Sequence, residues 1–147
     1  MEPYATYPPA PNEALLFEDR DVLTENWEYE SGKTRNALMI VGAVLLLGDL
    51  LSVASIGAFG KVNYAYLLIV PMVFMGLGLF AVSQPRTAAI TACVAFALLT
   101  GITVYVFGGV GLITGWLAKA VILFFLISAL RHAREAEEFR NRLHALK

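Results

Sequence analysis

Two ionisable residues interrupt long apolar stretches of this 147-residue chain: Asp49 within 37–56 and Lys119 within 110–130. A charge at the centre of a membrane-crossing helix costs roughly 2.5–3.5 kcal/mol on insertion scales, so each of these residues calls for a partner or a task. An acid and a base in such surroundings suit two kinds of role. They can form a polar layer for protons, small ions or a polar ligand. They can equally fix which helices pack together. Ser52 lies one turn beyond Asp49, and Thr100, Thr103 and Thr114 add hydroxyls at similar depth. The expected intramembrane polar site is therefore Asp49, Lys119, Ser52, Thr100 and Thr103, and the residue types leave both roles open.

Other chemistry is thinly represented. His132 and His144 are the only histidines, and twelve residues separate them, which is not a ligand spacing of three or four. Cys93 stands alone in an apolar run, with no base or cation nearby to make it a nucleophile. No nucleophile-elbow, zincin or phosphate-loop motif occurs. No catalytic residue, metal ligand set or cofactor is expected, and the chain reads as a non-enzyme.

The elements that must hold Asp49 and Lys119 follow from composition. Hydrophobic residues make up 58% of the chain, with mean hydropathy +0.65; a soluble domain holds roughly 45–50%. The excess sits in four runs, 37–56, 64–83, 87–107 and 110–130. Each has about 20 residues, the length needed to cross a hydrocarbon core of about 30 Å. Their connections are short, which makes consecutive helices antiparallel neighbours. No polar face exists to meet water. The predicted fold is an all-α membrane protein, a compact four-transmembrane-helix bundle over 36–130. A tail over 1–35 with a short amphipathic segment precedes it, ended by a break at Ser31-Gly32. A helical extension over 131–147 follows.

Lys33, Arg35, Arg86, Arg131 and Arg134 gather on one side of such a bundle, against Lys61 on the other. The positive-inside rule then makes both termini cytoplasmic, in a plasma or bacterial inner membrane. Tyr64, Tyr66, Tyr105 and Trp116 fall near the opposite surface, as an aromatic belt would. The N-terminus has no basic n-region and does not read as a cleaved signal peptide. Counted from the outer helix ends, Asp49 and Lys119 lie about 10 and 13 Å deep at 1.5 Å per residue, close enough to pair.

Packing signals accompany them. Ala89, Cys93, Ala97 and Gly101 recur every four residues, as do Gly111, Gly115 and Lys119. Small residues at that period let membrane helices approach closely, within one chain or between copies. Pro71 interrupts the second run and predicts a kink, a packing feature more often than a gate. Past Leu130 the last helix is expected to continue. Ala129, His132, Ala136, Phe139, Leu143 and Leu146 form a short heptad stripe, which suits packing against the N-terminal segment or against another protomer.

Residues 13–30 hold seven acids against one base, and 131–147 hold five bases against three acids. Neither segment is a nucleic-acid arm, since the first has the wrong sign and the second is too mixed. The expected partners are the lipid bilayer and either further copies of this chain or another membrane protein. Two functional expectations follow. One is a membrane-anchored accessory or scaffold protein acting through its cytoplasmic tails. The other is a small ion or proton channel or transporter that uses Asp49 and Lys119.

Overall fold

A computed structural model describes the backbone of residues 11–56, 64–109 and 116–145, and side-chain surroundings within 19–51, 68–105, 108–109 and 116–145. The described residues form four helices: α1 (Pro11–Ile56), α2 (Tyr64–Phe80), α3 (Pro85–Phe107) and α4 (Trp116–Ala145). Among the described residues all regular structure is helical. α1, α3 and α4 are long and apolar enough to cross a membrane, and α2 is apolar but shorter. Large apolar side chains line the outside of these helices, among them Leu47, Leu51, Met72, Leu98, Ile102 and Phe124, as a lipid-facing surface requires.

The 46 residues of α1 make it about 69 Å long at 1.5 Å per residue. That is more than twice a hydrocarbon core of about 30 Å, so α1 must project from any bilayer it crosses. The expected break at Ser31-Gly32 is absent, and α1 runs through it. Local bonding is part of the reason. The Ser31 hydroxyl donates to the Glu28 carbonyl at 3.0 Å, and the Thr34 hydroxyl donates to the Glu30 carbonyl at 3.1 Å, so both return into the helix. Packing supplies the rest. Glu30, Thr34, Ala37 and Val41 are buried at alternating spacings of four and three, a stripe that crosses the predicted boundary. A helical glycine costs about 1 kcal/mol, and burial along this stripe outweighs it.

The partner stripe lies on α4, where Ile122, Leu126, Ala129, Ala133 and Ala136 are buried. Ala129 and Ala136 are buried as the predicted heptad stripe requires, and the position between them differs by one residue. Ala133, not His132, sits in the seam, fully buried. His132 flanks the seam, half-buried. The two helices are antiparallel: Glu30 meets His132 at one end, and both apolar segments lead away from it.

α2 ends where predicted to within a turn. The Gln84 amide donates to the Phe80 carbonyl at 3.1 Å, and the Ser83 hydroxyl donates to the same carbonyl at 3.0 Å. Pro85 then starts α3 at its first position, where a missing N–H costs nothing. Pro71 lies inside α2, fully buried. Its carbonyl faces Gly42 of α1 so closely that a Cβ on Gly42 would come within 3.1 Å of it and 2.9 Å of Met75 Cγ. Gly78 meets Met39 and the Arg35 carbonyl in the same way, at 3.1–3.3 Å. α1 and α2 therefore pack through glycine, and Pro71 serves that contact.

Candidate functional site

The polar end of the bundle draws on three elements: α1 from Trp27 to Arg35, the α2–α3 turn, and α4 beyond Leu130. Glu30 is its most buried charge, 8% exposed. Lys33, one turn along α1, donates from Nζ to Glu30 Oε1 at 3.0 Å. Across the seam, His132 Nδ1 lies 2.6 Å from Glu30 Oε2. A carboxylate that already holds an ammonium ion is ionised and can only accept, so the imidazole carries the proton and donates it. Lys33 also stands 4.1 Å over the Tyr29 ring. The Glu30 hydrogen bond leads the influences that raise the Lys33 pKa above its ordinary value.

Glu135 completes this cluster, with its carboxylate 3.8 Å from His132 Nδ1. One ligand atom each from Glu30, His132 and Glu135 lie within 4.8 Å of one another, a set that suits a divalent cation. As arranged, however, Glu30 and His132 bond to each other, and Lys33 holds the second Glu30 oxygen. The cluster works as a hydrogen-bonded junction between α1 and α4. The twelve-residue spacing of the two histidines hides this cluster in the sequence. Its local signal is His132 and Glu135, three residues apart on one helix face.

A second set of groups lies beside this junction. Arg86, in the first turn of α3, donates from Nη1 to Glu137 Oε2 at 2.7 Å and ties the α2–α3 turn to α4. A cavity of about 160 Å³ opens here, with Trp27 of α1 and Arg140 of α4 also in its wall. Among the described buried side chains, Trp27 Nε1 and Arg140 Nε have no hydrogen-bond acceptor. A buried donor left unpaired costs about 1–3 kcal/mol.

Comparison with protein-family models, curated proteins and solved structures found no match.

The residues predicted for an intramembrane site lie away from the polar end. Asp49 and Lys119 are both half-buried, on the adjacent helices α1 and α4. The ion pairs found among the described residues gather at the polar end, and Asp49–Lys119 is not one of them. Register explains this. With Glu30 level with His132, Asp49 is nineteen residues further along α1 and Lys119 is thirteen residues back along α4. At 1.5 Å per residue their axial offset is about 9 Å, against less than one turn when depth is counted from the ends of the runs. Thr100 and Thr103 donate to the Phe96 and Leu99 carbonyls of their own helix, at 2.9 and 2.8 Å. The side chains of Ser52 and Thr114 lie outside the described residues.

The small-residue stripes divide. Ala89 is fully buried and Cys93 packs against the core, whereas Ala97 and Gly101 are exposed. The first half of the stripe seats α3 within the chain, with Ala88 and Ala92 beside it. Gly111 and Gly115 lie outside the described residues. Tyr105 and Trp116, 91% and 64% exposed, stand at the end opposite Glu30, where an aromatic belt was expected.

Proposed function

We propose that this protein is a membrane-anchored accessory or scaffold protein. On this reading four apolar helices cross a plasma or bacterial inner membrane, and both termini are cytoplasmic. The anchor assembles with further copies of itself or with another membrane protein. The observation that carries the reading is the rigid projection made by α1 and α4. Both helices outrun a bilayer, and beyond it they stay joined through Ala133 and Ala136 and through the Glu30–His132 bond. Arg134, Glu138 and Arg142 are exposed on this projection and face the surroundings of the bundle. A stiff charged pair of helices held at a fixed height suits recognition of a partner better than it suits catalysis.

The test is crosslinking of the full chain in native membranes, compared with an Arg134→Glu, Glu138→Lys, Arg142→Glu variant. Specific crosslinked partners, lost in a variant of unchanged helicity, support the proposal. The same partners in both proteins, or none beyond a control membrane protein, would overturn it.

A second reading is favoured by the half-burial of Asp49 and Lys119 in neighbouring helices: a small ion or proton channel or transporter. Its mark is flux in proteoliposomes that disappears in Asp49→Asn or Lys119→Met. Flux no greater than in empty liposomes excludes it.

A further inference from the structure

We propose that the cavity walled by Trp27, the start of α3 and Arg140 is an anion site that takes a single phosphate group, from the headgroup of an anionic lipid or from free phosphate. Its donors converge from three helices, and several have no partner. Trp27 Nε1 and Arg140 Nε are closed off from solvent and hydrogen-bond to nothing. Both residues belong to the wall of the cavity. Arg86 uses one arm of its guanidinium on Glu137 and keeps the others. A guanidinium fork matches phosphate oxygens in pairs.

The backbone adds to this. α3 is 23 residues long, and Gln84 at its N-cap offers no side-chain hydrogen bond to the first turn. The first intrahelical bond runs from the Ala88 amide to the Gln84 carbonyl. The amides of Arg86 and Thr87 precede it and have no acceptor within the helix. Such an end attracts anions through both free N–H groups and the helix dipole. Here it opens on the same cavity as the unpartnered side chains, which is what distinguishes it from an ordinary helix start.

Size and charge set the class of ligand. A volume of about 160 Å³ is roughly tenfold the 10–15 Å³ of such space that one water needs, enough for a tetrahedral phosphate and its waters. The wall holds two guanidinium groups, Arg86 and Arg140, against one carboxylate, Glu137. The balance favours one phosphate over a polyanion. The cavity also lies where the apolar spans end, beside the exposed turn residues Ser83 and Gln84, at the level lipid headgroups would occupy.

The chain has two tryptophans, so Trp116→Phe leaves Trp27 as the sole reporter. This full-length protein is titrated in maltoside micelles with inorganic phosphate, and separately with phosphatidylglycerol. A saturable change in Trp27 emission is expected in at least one arm. Response to inorganic phosphate marks a free-phosphate site, and response to phosphatidylglycerol alone marks a headgroup site. Arg140→Gln should weaken the response at least tenfold with helicity unchanged. Arg140→Lys keeps the charge but loses the fork, and it should also weaken the response. No response in either arm, or a response that survives Arg140→Gln, overturns the proposal.

Discussion

The Glu30–His132 bond joins residues 102 positions apart and offers a quantitative test of how the polar end is held. The perturbation is a double-mutant cycle of Glu30→Gln, His132→Ala and both together. The Glu30 side chain is 10% exposed and that of His132 is 24% exposed, so water screens the bond little. A hydrogen bond to a charged group contributes about 1.5–3 kcal/mol, and 2.6 Å is short, in the charge-assisted range. Lys33 remains on the other Glu30 oxygen, which softens the loss when the imidazole is removed. His132→Ala should therefore destabilise the protein by about 1–2 kcal/mol, with a coupling energy of similar size. The assay is reversible unfolding in mixed micelles of mild detergent and dodecyl sulfate, followed by far-UV ellipticity. Arg142–Glu138 serves as control, since both side chains are exposed, at 62% and 64%, and surface pairs contribute roughly 0–1 kcal/mol. A Glu30–His132 coupling below about 0.5 kcal/mol, the range in which unconnected sites add, would refute the junction as described.

The glycines of α1 should respond in opposite directions. Gly42→Val drives a side chain into the Pro71 carbonyl and Met75, and unfolding should show a loss of about 1–3 kcal/mol. Gly32 has nothing within 4 Å of where a Cβ would sit, and Gly32→Ala should gain about 0.5–1 kcal/mol through better helix propensity. A gain at position 42 or a loss at position 32 in the same unfolding assay would contradict the packing described. Ala133→Leu overfills the α1–α4 seam, where Ala133 is fully buried, and should cost about 1–3 kcal/mol. Enough parting of the two helices should also bring faster proteolysis within 131–145, read by mass spectrometry; unchanged cleavage would show that the seam has room to spare.

Much of this protein is determined by its sequence alone. Hydropathy is a sum over neighbours in the chain, and long apolar runs specify helices whatever their partners, three of them long enough to cross a membrane. The boundaries near Ile56, Tyr64, Pro85 and Phe107 follow from that sum and from proline, and the helical continuation past Leu130 follows from the charge pattern and the absence of a breaker. The contacts between helices do not follow from such sums, because they depend on rotation and register, which only packing sets. Ser31-Gly32 has the composition of a break, yet the buried stripe from Glu30 to Val41 carries α1 through it. Gly42 gives no signal in a run of apolar residues until α2 places the Pro71 carbonyl against it. Asp49 and Lys119 stand out because a charge in an apolar run is conspicuous locally. Glu30 does not, since it is one acid among seven in a polar segment. Tertiary structure reverses that order of interest. By closing α1 on α4 it buries Glu30 against His132, and by bringing Arg86 to Glu137 it leaves Trp27 and Arg140 with unpaired donors at the wall of a cavity.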